Sequence, residues 1–158
     1  MNFYIKQKIF SWGDQFFIYD QNGNERYRVK GEVFSFGKKL HLYSMTGREE
    51  AFIEQKLLTF LPKYTVSRQG TKVAEIVKEF TFFKQAYTVN GLGWSVKGDF
   101  FDHSYEVSDS AGRTLAAVSK EWFTLGDAYE LSLSDGVDEI AVLAVCLVID
   151  ACIEAQNN

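Results

Sequence analysis

Apolar and polar residues alternate in short segments from residue 3 to residue 134, and glycines or polar turns separate these segments. Because successive side chains of a β-strand point to opposite faces, alternation with a period of two predicts strands that bury one face. In the last segment, Tyr129, Leu131 and Leu133 alternate with polar residues. The predicted strands lie at 3–9, 17–19, 26–30, 33–36, 40–45, 51–58, 64–68, 72–80, 86–89, 94–101, 104–108, 115–123 and 129–133. Many short strands are typical of an all-β protein.

The segment after residue 134 is different, and a helix is predicted at about 136–156. Ten consecutive residues, Ile140 to Ile149, are apolar. A helix without a polar face must be surrounded by protein or by lipid. A spanning helix needs about 20 mainly apolar residues, whereas this run ends at Asp150 and has acidic flanks. We therefore predict that protein surrounds the helix and that the chain has no transmembrane segment.

An internal repeat organises the strands into two halves. Residues 27–34 match residues 94–101, and residues 46–48 match residues 111–113. The repeat covers about 15–60 and 84–125, and the helix lies outside it. If both halves close into one sheet, they form an antiparallel barrel of about twelve strands. Such a barrel is wide enough to enclose a helix, whose diameter with side chains is about 10–12 Å. The whole chain, residues 1–158, is predicted to be a single domain.

The ends of the predicted helix carry charged residues. Asp135 is predicted to cap its start and Gly136 to ease the turn, while Asp138 and Glu139 place negative charge at the positive end of the helix dipole. Asp150 follows the apolar run, and a buried unpaired carboxylate is costly. We expect either that the helix has reached the barrel mouth there or that a cation meets the carboxylate.

Composition supports a packed globular body, since 46% of the residues are hydrophobic, 16% are aromatic and one is proline. The net charge of −4 is too small to indicate a nucleic-acid partner. The charge is unevenly distributed, because residues 1–79 hold 13 Lys and Arg against 9 Asp and Glu, whereas residues 80–158 hold 4 against 12. The first half of the chain therefore has a positive net charge and the second half a negative one.

Both cysteines, Cys146 and Cys152, lie in the predicted helix. Their spacing places them on different faces, so they are predicted to be buried free thiols that form no disulfide. With no disulfide framework and no leader-like start, the chain is predicted to be cytoplasmic.

Several segments resemble the LURP-one-related family. These are the repeated Val-Lys-Gly strand, the Gly-Arg turns at 47–48 and 112–113 with the segments that follow them, and the C-terminal stretch from Asp127 to Ala151. The resemblance covers essentially the whole chain. It implies a tubby-like fold, in which a barrel of about twelve strands encloses a hydrophobic C-terminal helix, related in plan to tubby proteins and phospholipid scramblases.

Motifs for catalysis are missing from the sequence. It contains no Gly-x-Ser-x-Gly, His-Glu-x-x-His, Gly-x-x-x-x-Gly-Lys or Cys-x-x-Cys motif. His41 and His103 stand alone and are interpreted as surface residues of strand or turn segments. The resemblance to scramblases implies a calcium-binding segment just before the helix, where Asp135, Asp138 and Glu139 lie. The spacing of these three residues is too short for the six or more oxygens that calcium takes. We therefore predict no catalytic residues, no metal, no cofactor and no enzymatic activity.

A basic strand face is the candidate binding site. Arg26, Arg28 and Lys30 project from one side at period two, and Lys38 and Lys39 lie in a nearby turn, with Lys6 and Lys8 on the first strand. An anionic membrane attracts such clusters at about 1 kcal/mol per charge, and the resemblance implies relatives that bind phosphoinositides through surface cations. A solvated face that prevents edge pairing is the structural alternative.

The sequence favours a non-enzymatic binding or scaffold module whose partner is anionic lipid or another protein. Two alternatives remain open. A carrier of a small molecule or lipid would need a displaced helix or an empty apolar channel, and an enzyme would need a pocket that joins His41 or His103 to acidic residues.

Overall fold

The computed structural model describes residues 1–6, 15–32, 36–79, 85–121 and 128–157 of the 158-residue chain. Its elements are β1 (Asn2–Lys6), β2 (Gln15–Asp20), β3 (Glu25–Gly31), β4 (Lys39–Ser44), β5 (Glu49–Gln55), β6 (Lys63–Arg68), β7 (Thr71–Glu79), β8 (Ala86–Asn90), β9 (Trp94–Asp99), β10 (Ser104–Ser108), β11 (Thr114–Glu121), β12 (Ala128–Leu133) and α1 (Glu139–Asn157).

The strands form a closed antiparallel barrel. Each strand pairs with its neighbours in the chain, and β12 pairs with β1, so the sheet has no free edge. The predicted barrel of about twelve strands with a C-terminal helix is confirmed. The predicted strand at 33–36 falls mostly outside the described residues. The predicted strand at 51–58 was too long, since β5 ends at Gln55 and the exposed Leu57 and Leu58 follow it in a loop.

The helix α1 occupies the barrel interior. Every residue from Ile140 to Ile149 is at most 6% exposed, which explains why this run has no polar face. The wall contributes the inward residues of each strand, among them Val29, Val96 and Leu131, which are fully buried. Among the residues that the structure describes, there is no helix with the length and apolar character needed to span a bilayer.

The start of α1 is fixed by Asp138, not by the predicted cap Asp135. The backbone N–H of Ala141 donates to Asp138 Oδ1 at 3.3 Å, as expected of an N-cap immediately before the first helical residue. Arg68 Nη1 lies 2.6 Å from Asp138 Oδ2, and the Tyr27 hydroxyl donates to Glu139 Oε2 at 2.6 Å. These contacts tie the start of the helix to β6 and β3. Asp135 is exposed in the preceding turn.

The repeated segments take the same local structure on different sides of the barrel. In the turn after β4, Ser44 N–H donates to Arg48 O at 2.9 Å and Gly47 N–H to Ser44 O at 3.0 Å. The turn after β10 has the equivalent two bonds, in which Asp109 N–H donates to Arg113 O and Gly112 N–H donates to Asp109 O, both at 3.0 Å. A register shift precedes the turn in each hairpin, between residues 42 and 43 and between residues 107 and 108.

The two ends of the barrel can be told apart by the direction of α1. The helix-entry end contains Asp138, the turn at 45–48 and the turn at 91–93. The helix-exit end contains the last turns of α1 and the loops that join β3 to β4 and β5 to β6. Lys38 marks this end, because its Nζ donates to the carbonyl oxygen of Ala151 at 3.1 Å.

Candidate functional site

The outer face of β3 carries Arg28 and Lys30, which are called the basic row below. Their chain neighbours Tyr27 and Val29 are buried, so the alternation of the strand directs the two cations outward. In the register of the sheet, Arg28 lies between Phe17 of β2 and Tyr43 of β4, and Lys30 lies between Gln15 and His41. The neighbours of Arg28 across the sheet are therefore aromatic, whereas those of Lys30 are a glutamine and a histidine.

Contacts with neighbouring side chains orient Arg28. Its Cζ atom lies 4.7 Å from the centre of the Tyr43 ring, within the range of a cation–π contact. Its Nη1 donates to Gln15 Oε1 at 3.3 Å, and Lys30 extends into solvent. Within the described ranges, no carboxylate forms an ion pair with Arg28 or Lys30. The positive charge of the basic row is thus available to an external anion.

The structure separates Arg26 from the basic row. The register between β2 and β3 shifts at Ile18 and Tyr19, which leaves Arg26 without a partner position on β2. At such a bulge the strict alternation of faces is lost. The Arg26 guanidinium lies 5.9 Å from the centre of the buried Phe3 ring.

The two lysines predicted in the nearby turn have partners within the protein. Lys39 Nζ lies 3.7 Å from Glu54 Oε2. Lys38 is half-buried, its ammonium donates to Ala151, and burial lowers the pKa of Lys38. Lys38 therefore connects the loop before β4 to the C-terminal half of α1. The side chain of Lys6 and all of Lys8 lie outside the described residues.

His41 does not stand alone, because carboxylates lie at both of its ring nitrogens. Nδ1 contacts Glu49 Oε1 in a very short contact, and Nε2 lies 3.1 Å from Glu32 Oε2. The ring stacks on Tyr43 at a centroid distance of 5.9 Å and contacts the tilted ring of Phe52 at a centroid distance of 4.8 Å. An open cavity of about 300 Å³ is lined by His41, Glu49, Phe52, Ser67, Gln69 and Gly70.

His103 is buried, whereas the sequence indicated a surface turn residue. It adopts a left-handed backbone with φ of 48° and stacks on Tyr129 at a centroid distance of 4.7 Å. Its Nε2 lies 3.5 Å from Asp150 Oδ1, while the Tyr129 hydroxyl donates to Asp150 Oδ2 in a very short bond. Burial, and then the charge of Asp150, raises the pKa of Tyr129, so this hydroxyl stays protonated as a donor. Asp150 is therefore held by the barrel wall.

The two thiols are free and buried, as predicted. Burial raises the pKa of Cys146 to about 12 and also raises the pKa of Cys152. Over the described ranges there is no group of three or more His, Cys, Asp or Glu side chains arranged to hold a metal ion.

Sequence reasoning missed the exposed apolar residues at the helix-exit end. They include Phe36, Leu57, Leu58 and Phe60. The first three were assigned to strands and Phe60 was given no role, because an apolar residue next to a strand cannot be told from a strand residue by periodicity alone. Pro62, which interrupts strand pairing, was the signal that this segment is a loop.

Comparisons with known proteins identify the relatives of the chain. A family model described as LURP-one-related matches residues 1–150. YxjI of Bacillus subtilis, whose name calls it uncharacterized, is 35% identical over 147 residues, covering 93% of this chain and 90% of that protein. The X-ray structure of a protein from Arabidopsis thaliana matches with a TM-score of 0.67 at 18% identity, covering 99% of this chain and 91% of the plant chain. The plant structure thus has the same fold.

Proposed function

The chain belongs to the LURP-one-related family, and from this premise we propose that it is a non-enzymatic binding module that recognises anionic lipid headgroups through the basic row. The family resemblance found in the sequence is thereby confirmed, and it assigns no reaction. A cytoplasmic location is part of the proposal, because the two cysteines are free and the cytoplasmic leaflet is the anionic one.

One observation carries this proposal: the basic row is oriented but not neutralised. Arg28 is held by Tyr43 and Gln15, both uncharged, so its charge is not cancelled within the protein. A planar guanidinium can bind two phosphate oxygens at once, and Lys30 adds a second positive charge on the same strand face. Each cation near an anionic surface contributes about 1 kcal/mol to binding.

A specific observation favours the enzyme alternative, since a cavity does join His41 to Glu49. However, a general base needs one ring nitrogen directed at the substrate. Both nitrogens of His41 face carboxylates, Glu49 on one side and Glu32 on the other. The carrier alternative is weakened because α1 fills the barrel interior. The binding module therefore remains the better supported function.

The proposal is tested by reversing the charge of the basic row. The double variant Arg28→Glu, Lys30→Glu should bind vesicles that contain phosphatidylserine at least about tenfold more weakly than the unaltered protein. Binding of the unaltered protein should weaken as the salt concentration rises, because mobile ions screen surface charges. Vesicle pelleting over a lipid titration measures both effects.

The matched control places the same charge change on the other half of the repeat. Lys97 of β9 is the repeat counterpart of Lys30, and Arg113 is exposed before β11. The double variant Lys97→Glu, Arg113→Glu has the same net charge as the first variant and should bind nearly normally. Equal losses in the two variants would show that net charge alone attracts the protein, and undiminished binding of the first variant would contradict the proposal.

A further inference from the structure

Four large apolar side chains are exposed on two neighbouring loops at the helix-exit end. Phe36 is 89% exposed and Leu57 is 51% exposed, whereas Leu58 and Phe60 are fully exposed. Single exposed apolar residues are ordinary on protein surfaces, but a cluster of this kind marks an interaction site. These four residues are called the apolar loop pair below.

The frame that carries the apolar loop pair is held together by contacts between the two loops. Gln55 N–H donates to Lys38 O at 2.8 Å, and Lys38 N–H donates to Gln55 Oε1 at 3.0 Å. At the other side of the second loop, Lys56 N–H donates to Lys63 O at 2.8 Å. A Cβ atom added to Gly37 would lie 3.0 Å from the Leu57 side chain, so the loops also pack directly on each other.

Leu58 has a backbone conformation that is unfavourable for a leucine. The φ angle of Leu58 is 59°, in the left-handed region that residues other than Gly, Asn and Asp rarely adopt. Strained residues of this kind persist where the surrounding structure fixes them, and they cluster at functional sites. Here the strained residue is a fully exposed leucine.

Lysines surround the apolar loop pair. Lys56 begins the second loop, Lys63 follows it, and Lys39 follows the first loop. Lys39 and Lys56 lie 3.7 Å and 3.8 Å from the carboxylate of Glu54, and Lys63 lies 3.7 Å from the carboxylate of Glu75. The three lysines therefore outnumber the two carboxylates beside them, and the cluster has a net positive charge. Lys30 of the basic row lies one residue before the end of β3 at this end of the barrel.

We propose that the apolar loop pair inserts into the interfacial region of an anionic bilayer while the surrounding lysines contact headgroup phosphates. Apolar side chains framed by lysines are the combination that binds the lipid interface. Lysine is depleted at protein–protein interfaces, which makes a protein partner the poorer fit. The inference rests on the headgroup recognition proposed above and adds the depth and orientation of the bound protein.

A fluorescent label on the second loop tests insertion. The variant Thr59→Cys, labelled with the environment-sensitive dye NBD, should show a blue shift and a brighter emission with vesicles of phosphatidylcholine and phosphatidylserine at a ratio of about 7:3. The matched control is Thr46→Cys with the same label, in the exposed turn at the helix-entry end, and it should not change. The native cysteines are buried and do not compete for the label.

A second pair of variants tests the apolar side chains themselves. The variant Leu58→Ser, Phe60→Ser should bind the same vesicles at least about tenfold more weakly, because it removes the groups that leave water on insertion. The control Met45→Ser, Leu92→Ser removes two exposed apolar residues from the opposite end and should bind normally. Thermal unfolding of the unaltered protein and of the two labelled and two double variants checks that each one folds.

The outcomes separate this inference from the proposed function. One set of results would show that insertion is wrong while headgroup recognition is right. In that case the unaltered protein pellets with anionic vesicles, but the dye on the Thr59→Cys variant keeps its emission and the Leu58→Ser, Phe60→Ser variant binds normally. That result would leave a protein partner as the occupant of the apolar loop pair. If the unaltered protein does not bind the vesicles, both proposals are wrong.

Discussion

Gly98 of β9 lies where a single methyl group cannot be added without moving the next strand. Its φ is 148°, and an added Cβ atom would lie 2.5 Å from the Cα atom of Tyr105 and closer still to the carbonyl oxygen of Ser104. Both of these atoms belong to the backbone of β10, so no side-chain rotation can relieve the contact. The sequence places this glycine within a strand but does not reveal the close approach of the neighbouring backbone.

We expect Gly98→Ala to lower the free energy of unfolding by about 3 kcal/mol or more, since it combines an unfavourable φ with a backbone clash. Gly112→Ala is the matched control, because Gly112 also has a positive φ of 83° but has nothing within 4 Å of an added Cβ atom. In the control, the free energy of unfolding should fall by only about 1–2 kcal/mol. Urea unfolding measures both, and equal losses would show that the contact with β10 is unimportant.

Asp150 shows the limit of sequence reasoning for a single side chain. The sequence indicated that this carboxylate needed either solvent or a partner, and the structure provides Tyr129 and His103. Tyr129 belongs to β12 and His103 to the connection between β9 and β10, so the partners are distant in the chain. No local pattern links these residues, which is why the tyrosine was predicted only as a wall residue and the histidine as a surface residue.

The helix is the element that the sequence predicted best. The predicted range of 136–156 agrees with the observed range, Glu139–Asn157, to within three residues at each end. The agreement is close because ten consecutive apolar residues define a helix enclosed by protein. Strand ends were predicted less well. β5 was extended to Leu58 because an apolar residue continues the pattern whether it faces the core or lies in an exposed loop.

Because the barrel encloses α1, the two cysteines of this helix should be protected from reagents in the folded protein. Because Cys146 and Cys152 are buried and burial raises the pKa of Cys146 to about 12, we expect the folded protein to react with Ellman's reagent at least about a thousandfold more slowly than the protein in urea. The unlabelled variant Thr59→Cys is the control, and its one exposed thiol should react at once. Rapid modification of two thiols in the unaltered folded protein would contradict the enclosed helix.

At the scale of the whole molecule, charge and apolar exposure favour the same side of the barrel. The first half of the chain carries the positive excess, with 13 Lys and Arg against 9 Asp and Glu in residues 1–79. The basic row and the apolar loop pair both belong to this half, β3 to β6. The acidic second half would be repelled by an anionic surface, so the charge distribution alone would orient the protein. The sequence predicted this charge difference, but only the barrel topology brings two separate loops together at one end.

The most direct test of membrane binding by the helix-exit end is a map of lipid contacts by NMR. Amide signals are recorded in bicelles that contain anionic lipid, with and without a lipid spin-labelled at its headgroup, which broadens the signals of nearby amides. We expect broadening at Lys30, at 36–38 and at 56–61, and unchanged signals in the turns at 45–48 and 91–93. Broadening confined to the helix-entry end or to β9–β11, or the absence of any broadening, would contradict the account.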